Sequence, residues 1–437
     1  MQVSRPALRR TVGFDTAVAI VVANTIGTGI FTTSGFIARD VGSPIWLLVL
    51  WIAGGAIELV GVLAYGELSA AMPEAGGEYV YLREAYGSLP AYLSGWTSFF
   101  VGFSGAIAAA TLAFVGYLDR IAPMVRWSPS SDKIVAIAVL AALTAAHIVG
   151  MRFGSGLQRI LTAATVVTIL ALMAAGLVSG RGHFTNFSSA GPARGNAAVS
   201  LIFVLYAYSG WNAAAYIAGE VKDPGRNLPR ALLAGIGVVA LLYVGMNVMY
   251  IYALPISAMS GVLAIAEKAA ATLFGAGAAR AIAAVLALTI LNSASAMIIA
   301  GPRVYYAMAR DKVFPEALGA VNPLFGTPAR AILLQSIWSA ILIIYFGTFE
   351  RIVIYTGFAV AIFAGLSVAS LVVLRRCRHD LPRPFRMPGA PWLPAAYVLV
   401  VAWIAVHTIM ARPADTLISA AVVAAGLPWY LLCRRLQ

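Results

Sequence analysis

Asn24-Thr25-Ile26-Gly27-Thr28-Gly29-Ile30-Phe31 lies in the middle of an apolar segment that runs from residue 14 to residue 37. Glycine loosens a helix and threonine competes for its hydrogen bonds, so this stretch predicts a break in a long apolar helix. In a bilayer the freed N–H and C=O groups need new partners, and such a break persists only where it lines a cavity. The alternative interpretation is that small residues let two intact helices pack closely. The stretch alone leaves both interpretations open.

The amino-acid composition indicates the medium in which that segment lies. Hydrophobic residues make up 61% of the 437 residues and charged residues 11%, against roughly 25% charged residues in soluble domains. The long segments are apolar throughout, which predicts an all-α polytopic membrane protein. The formal net charge of +13 is explained by Lys and Arg in cytoplasmic loops, so no nucleic-acid partner is expected and the lipid bilayer is the surrounding medium.

Twelve apolar segments follow one another, each near the ~20 residues that a bilayer requires. A first group of five covers residues 14–178, a second group of five covers 197–374, and two further segments cover 392–433. Short tails, 1–13 and 434–437, lie at the two ends. With the N-terminus inside, 20 of the 30 Lys and Arg residues fall in inner loops. We therefore predict a multi-pass protein of the inner (plasma) membrane with both termini cytoplasmic.

The sixth segment carries a second interruption, Tyr206-Ala207-Tyr208-Ser209-Gly210-Trp211-Asn212. Segments one and six open the two groups of five, and an odd group size reverses orientation, so the groups are predicted to be inverted repeats. Broken helices at matching positions of such repeats mark midplane binding sites, where helix N-termini receive an anion and free carbonyls receive a cation. An amino acid presents both charges. The pair of breaks therefore favours a transport site over close packing alone.

Five motifs in order carry a family resemblance. They are 24–31, 72–79, 207–231, 309–328 and 382–389. With these motifs the chain resembles the amino acid–polyamine–organocation (APC) superfamily, and within it bacterial relatives of the L-type amino acid transporters. The resemblance implies a LeuT-type fold, with a 5+5 inverted repeat plus two extra helices. It also implies a permease or antiporter with no enzymatic activity and no cofactor. Neutral amino acids are the expected substrate, because neither break contains an acidic residue.

The resemblance also implies which residues hold the substrate. Amides of the first break, ahead of a half-helix that begins near Ile30, would receive the carboxylate. The carbonyls of Ile26, Tyr206 and Ser209 would receive the amino group, with the Tyr206 ring closing over the substrate from outside. Ser104 and Phe100 of the third segment would line the side-chain pocket. The full predicted set is Ile26, Gly27, Thr28, Gly29, Ile30, Ser104, Tyr206, Tyr208, Ser209 and Gly210.

The coupling of transport to an ion stays open at this stage. Many relatives carry a Lys in the fifth segment seven positions after a Gln, and that position here, counted from Gln158, is Thr165. The hydroxyls of Thr165, Ser293 and Ser295 predict a sodium site, and an empty site in an exchanger or facilitator is the alternative. Glu58, a carboxylate within the second segment, is the candidate proton site or a buried hydrogen-bonding group.

Two other acidic residues lie near inner helix ends. Glu67 and Glu220 are predicted to be rim charges close to water, with a role in an inner gate beside Lys222 or Arg230 as the alternative.

A different class of function also matches a few residues. The stretches 102–105 (Gly-Phe-Ser-Gly) and 146–150 (Ala-His-Ile-Val-Gly) match short motifs of rhomboid intramembrane serine proteases. There, the His would activate the Ser as general base. Ser104 lies mid-span and His147 near the inner end of its segment, about 10 Å or more apart in depth at a rise of about 1.5 Å per residue. The motif pair therefore remains a remote alternative.

Histidine and cysteine patterns limit metals and partners. The four histidines are scattered singly, so no metal site is predicted. Cys377 and Cys433 both fall on the predicted cytoplasmic side, where thiols stay reduced. No disulfide-linked accessory subunit of the kind that some animal relatives use is therefore expected.

Overall fold

A computed structural model describes residues 10, 12–74, 76–122, 129–149, 155–311, 313–320, 322 and 327–435. Within these ranges the chain is helical apart from turns, loops and one parallel β-bridge between Val12 and Val221. The all-α prediction is confirmed.

The first apolar segment contains two helices. α1 (Phe14–Thr25) and α2 (Gly29–Val41) are bent by 43° at residues 26–28. The break falls within residues 24–31, where Gly27 and Thr28 interrupt the helical hydrogen bonds. The Gly27 N–H pairs with the Thr25 carbonyl at 2.9 Å in a tight turn. The second half-helix begins at Gly29, one residue before the predicted start.

The remaining helices of eight or more residues follow in chain order. They are α3 (Pro44–Ala71), α4 (Glu78–Tyr86), α5 (Ser88–Ile121), α6 (Pro129–Ile148), α7 (Ser155–Val178), α8 (Ala197–Tyr208), α9 (Pro224–Ala253), α10 (Ile265–Phe274), α11 (Ala276–Arg310), α12 (Ala329–Phe346), α13 (Phe349–Cys377), α14 (Trp392–Ala411), α15 (Pro413–Ala424) and α16 (Gly426–Arg435). One π-helical segment, Ser98–Phe103, lies inside α5.

Several of these helices can span a membrane. Among the described residues, nine spans are long and apolar enough, with α15 and most of α16 counted as one, and the bent pair α1–α2 adds a tenth. α8 and the apolar part of α7 (Ala163–Val178) are shorter. The chain is therefore an integral membrane protein with many spans. Every predicted apolar segment has a helix, and the count of twelve spans stays a prediction.

Two features differ from the predicted segments. α9 begins at Pro224 and not near 230, because proline suits the first turn of a helix, where its missing N–H costs nothing. α4 and α10 are short helices in predicted loops, too short to appear as apolar segments of bilayer length.

The N-terminal segment is attached to the chain that follows the second break. Val12 donates its N–H to the Glu220 carbonyl at 3.0 Å and accepts from the Lys222 N–H at 2.8 Å. The start of α1 and the segment after α8 are thus joined by two backbone hydrogen bonds.

Candidate functional site

The two interrupted segments contact each other directly through their glycines. A Cβ added to Gly29 would lie 2.3 Å from the Ala207 Cα, and one added to Gly210 would lie 2.3 Å from the Asn24 carbonyl oxygen. Gly210 also has φ +103°, which disfavours any residue with a side chain. The small residues therefore serve both purposes that the sequence suggested, since they break the helices and allow them to touch.

A tyrosine of α9 fixes the ends of both half-helices. The Tyr243 hydroxyl lies 2.8 Å from the Thr25 carbonyl and 3.0 Å from the Ala207 carbonyl. Helix C-termini leave carbonyls without regular helical partners, and here one buried hydroxyl lies within hydrogen-bonding distance of two of them, of which the Thr25 carbonyl also accepts from the Gly27 N–H. On α2, Tyr250 donates to the Ile30 carbonyl and Tyr117 donates to the Phe31 carbonyl, at 3.2 and 2.6 Å.

A cavity of about 190 Å³ lies beside the second break. Of the predicted substrate residues, Tyr206, Ser209 and Gly210 line it. The third segment, now α5, lines the cavity as predicted but through other residues, and α13, which was not predicted for this role, lines it too: Ser94, Thr97, Phe103, Thr356, Gly357 and Val360. Two carboxylates, Glu58 and Glu78, line it as well, and none of its described lining residues is Lys, Arg or His.

Thr28 and Tyr206 join the two breaks through their side chains. Their hydroxyl oxygens are 3.2 Å apart, and both residues are buried. The Tyr206 carbonyl accepts from both the N–H and the hydroxyl of Ser209, at 3.2 and 2.7 Å. Both lone pairs of that carbonyl are therefore in use in this conformation. The Gly27 N–H is also paired, with the Thr25 carbonyl. The N–H groups at the N-terminus of α2 that can bind a ligand are therefore those of Thr28, Gly29 and Ile30.

Two predicted substrate residues point into the protein interior. Ser104 is fully buried and donates to the Phe99 carbonyl at 2.6 Å, across the π-helical segment of α5. Tyr208 is fully buried and donates to the Trp51 carbonyl at 3.2 Å. The apolar pattern indicates the segment in which each residue lies but not which side of that helix faces the cavity.

A second, much smaller cavity lies at the first break and shares Asn24 and Met297 with the lining of the large cavity. Its volume is about 20 Å³, close to that of a single water molecule. Ile26, Thr165 and Ser293 line it, together with Thr289, whose hydroxyl is 2.9 Å from that of Thr165. The structure thus brings together Thr165 and Ser293 of the predicted ion site.

Ser295, the third hydroxyl of the predicted ion site, does not line the small cavity and contacts His147 of the predicted protease pair. The Ser295 hydroxyl is 2.8 Å from Nε2 of His147. Because Ser104 bonds to backbone carbonyls and His147 bonds to Ser295, the structure does not form the serine–histidine pair of the protease alternative.

Both acidic residues that the sequence placed inside α3 have specific partners. Glu58 is 6% exposed and accepts a hydrogen bond from Nε1 of Trp211 at 2.7 Å. Glu67 is 1% exposed, and its prediction as a rim charge is wrong. It accepts from Nε of Arg375 at 2.9 Å and from the Met387 N–H at 2.7 Å, because the loop after α13 folds back over the end of α3.

Glu220, the other predicted rim charge, is half-buried, and its backbone carbonyl takes part in the bridge to Val12.

Aromatic rings cover Tyr206 on the predicted outer side. Phe349 meets the Tyr206 ring edge-on with centroids 6.0 Å apart, Phe36 stacks on Phe349, and Phe203 stacks on Phe36. The guanidinium of Arg39 lies over the Phe36 ring, 5.6 Å from its centroid. These residues form what we call the aromatic lid: Phe36, Phe203 and Phe349.

An ion-pair network lies over the aromatic lid. Arg39 at the end of α2 donates two hydrogen bonds, both 2.9 Å long, to the carboxylate of Glu350 at the start of α13. Arg412 also donates to Glu350, and Arg39 pairs with its neighbour Asp40 at 3.0 Å. This network was not predicted from the sequence, because Arg39 and Glu350 lie 311 residues apart.

At the opposite, predicted inner end, the cavity reaches Glu78 at the start of α4. Glu78 Oε1 accepts from the side-chain amide of Asn212, which follows the second break, at 2.9 Å. Burial raises the pKa of Glu78 above its ordinary value, against the hydrogen bonds that lower it.

Comparisons with known proteins bear on this arrangement. A family model described as amino acid permease matches residues 12–426. The b(0,+)-type amino acid transporter 1 of Mus musculus is 31% identical over 98% of this chain and 88% of its own. The large neutral amino acids transporter small subunit 2 of Homo sapiens is 30% identical over 98% of this chain and 81% of its own. The serine/threonine exchanger SteT of Bacillus subtilis (strain 168) is 27% identical over 97% and 96%.

Proposed function

The chain belongs to the amino acid permease family of the APC superfamily, and on that premise we propose that it carries neutral amino acids across the plasma membrane by alternating access. Membership in the family means that the protein is a membrane transporter and not an enzyme. The observation that carries the proposal is the meeting of the two breaks, through Thr28 and Tyr206, beside a cavity of about 190 Å³.

The substrate would bind where N–H groups face its carboxylate and oxygen atoms face its amino group. Its carboxylate would accept hydrogen bonds from the amides of Thr28, Gly29 and Ile30, at the positive end of the α2 dipole. Its amino group would lie near the carbonyl of Ile26 and the hydroxyl of Ser209. The Tyr206 ring would close over the substrate, held there by the contact between its hydroxyl and that of Thr28.

Neutral substrates suit the walls of the large cavity. Its described lining contains carboxylates and no basic residue, so an acidic substrate side chain would meet like charges without a counter-ion. The carboxylates, Glu58 and Glu78, are held by Trp211 and Asn212 and lie outside the two breaks. The names of the relatives, which include large neutral amino acids, serine and threonine, agree with a neutral substrate.

Alternating access would use the two ends of the site in turn. The cavity reaches towards Glu78 on the predicted inner side, while the aromatic lid and the Arg39–Glu350 pair lie over Tyr206 on the predicted outer side. We infer that the conformation faces inward, in a LeuT-type arrangement of twelve spans with cytoplasmic termini. The breaks would act as hinges between the inward and the outward conformation.

Sodium coupling is a second candidate, favoured by the small cavity. Hydroxyls of Thr165, Thr289 and Ser293 and the backbone at Ile26 supply oxygen, the ligand type that hard cations prefer. No carboxylate lines this cavity, so the same oxygens would also suit a water molecule. The two occupants differ in whether sodium drives transport.

The test is uptake into proteoliposomes that contain the purified protein. Vesicles are preloaded with unlabelled amino acids, and labelled leucine, alanine, serine and glutamate are offered outside with and without a sodium gradient. We expect uptake of the three neutral substrates and not of glutamate. Accumulation only with a sodium gradient would assign sodium to the small cavity. No uptake of any amino acid under any condition would contradict the proposed function.

A further inference from the structure

Glu58 is a carboxylate in the middle of α3 that faces the substrate cavity. It is 6% exposed, it lines the cavity, and its Oε2 accepts from Trp211 Nε1 at 2.7 Å. Trp211 belongs to the second break, between Gly210 and the short helical turn Ala213–Tyr216. The carboxylate is therefore attached to a segment that must move if the break acts as a hinge.

The groups around Glu58 offer it no positive charge. From the described elements packed near it, the titratable groups that face it are hydroxyls and one acid: Tyr65 on α3, Tyr208 on α8, Tyr397 on α14 and Glu78 on α4. None of these groups is a cation. An ionised carboxylate held by one indole N–H in such surroundings depends on water in the cavity for its solvation.

We propose that the Glu58 carboxyl binds and releases a proton once in each transport cycle and so couples amino acid movement to protons. This inference rests on the proposed function. While the cavity is open and wet, water and the Trp211 N–H stabilise the carboxylate. When the site closes and water leaves, the carboxylate binds one proton and becomes a neutral carboxyl. The oxygen that carries no proton still accepts the hydrogen bond from Trp211. Reopening to water releases the proton.

Closure is linked to proton uptake because removing water from an ionised carboxylate costs desolvation free energy. Closing the site over an ionised Glu58 would leave a buried charge without a counter-ion, so the occluded state selects the protonated form. The substrate displaces water from the cavity, whereas the empty site keeps water around an ionised Glu58, so the proton travels with the substrate and the empty site returns without it. An acidic outer compartment speeds inward transport, because it supplies the proton that closure requires.

The experiment uses the full chain in proteoliposomes and compares wild type with Glu58→Gln. An amide oxygen still accepts from Trp211, but the side chain no longer binds or releases a proton. Wild type should take up labelled substrate at least about threefold faster with a two-unit pH gradient, acid outside, than without one. Glu58→Gln should exchange internal for external substrate at a rate that pH does not change, and the gradient should not speed its uptake.

Two controls separate Glu58 from its neighbours. Glu78→Gln changes the other carboxylate of the cavity and should keep the response to the pH gradient. Trp211→Phe removes the donor that stabilises the charged form, so half-maximal uptake should shift to higher pH. Substrate-induced thermal stabilisation of each purified variant shows whether it is folded.

The outcomes distinguish the two levels of the proposal. A pH-sensitive dye inside wild-type vesicles that hold no internal substrate should report acidification that depends on added substrate. Exchange by wild type with no acidification and no pH response would overturn the role of Glu58 and leave the proposed function standing. Loss of the pH response in Glu78→Gln, with its retention in Glu58→Gln, would also overturn it. Absence of exchange by wild type would contradict the proposed function itself.

Discussion

The hydroxyl oxygens of Thr28 and Tyr206 are 3.2 Å apart, and this contact joins two helix breaks that lie 178 residues apart in the chain. Tyr206 also lines the large cavity and meets the ring of Phe349 in the aromatic lid. One side chain thus contacts the first break, the cavity and the lid, so a change at the site can reach the lid through it.

Tyr206→Phe should weaken substrate binding while leaving the lid contact in place. It removes the hydroxyl and keeps the ring that packs against Phe349. A lost hydrogen bond of about 1 kcal/mol corresponds to a rise of about fivefold in the half-saturation concentration of uptake. Thr28→Val should give a similar rise, and the double variant should be little worse than either. Full additivity of the two effects would show that the contact has no role in binding.

Gly27→Ala should be harmful for a reason that a second variant can remove. The added Cβ would lie 2.9 Å from the hydroxyl of Ser293 on α11, and not in the large cavity. We expect a lower unfolding temperature and slower uptake, with partial recovery of both in Gly27→Ala/Ser293→Ala. Gly29→Ala is the matched comparison, because its Cβ would meet the Ala207 backbone, which no side-chain substitution can move. Recovery of Gly29→Ala by Ser293→Ala would contradict this assignment.

Tyr243→Phe tests the shared support of the two half-helices. The Ala207 carbonyl would lose its buried donor and the Thr25 carbonyl would keep only the Gly27 N–H, which should reduce the free energy of unfolding by about 1–3 kcal/mol. Tyr250→Phe is the control, because the Ile30 carbonyl it serves lies inside α2 and keeps its helical partner. Chemical denaturation in detergent should therefore show a larger loss for Tyr243→Phe than for Tyr250→Phe. Equal losses would mean that the position of the carbonyls at the breaks is unimportant.

The position of the first break could be predicted from its residues, since glycine and threonine act on the helix that contains them. The partners across the protein could not. Glu58 was recognised as a carboxylate in an apolar segment, but Trp211 lies 153 residues further on. Ser104 and Tyr208 were predicted to hold the substrate, yet neither lines the cavity, and their hydroxyls donate to the Phe99 and Trp51 carbonyls. A segment's apolar composition does not indicate which side of the helix faces a cavity when neighbouring helices cover every side.

Glu78 should make stability depend on pH. Burial raises its pKa in the folded protein above the value in the unfolded chain, so the folded state binds more protons in the interval between the two. The free energy of unfolding should therefore fall as the pH rises through that interval. Unfolding temperatures measured across it should decline for wild type and vary less for Glu78→Gln. An equal decline in both proteins would assign the pH dependence to other groups.

Glu350→Gln should favour opening on the predicted outer side. Its carboxylate holds Arg39 of the broken first segment and Arg412 beyond α14, and a neutral amide cannot replace two charged contacts. In a background without Cys377 and Cys433, a cysteine at Phe203 would react with a membrane-impermeant thiol reagent only when the aromatic lid opens. We expect several-fold faster labelling of that cysteine in the Glu350→Gln variant.

The control for this prediction is a second ion pair at the same end of the protein. Asp415 of α15 accepts a hydrogen bond from the guanidinium of Arg351 at 2.8 Å. Arg351 follows Glu350 in the chain, but this ion pair does not include a residue of the broken first segment. Asp415→Asn therefore removes one charge at a similar position and should leave the labelling rate near that of the parent. If both variants label equally fast, the effect comes from loosening the outer end of α13. If only Glu350→Gln labels faster, the pairing of α2 with α13 holds the lid closed.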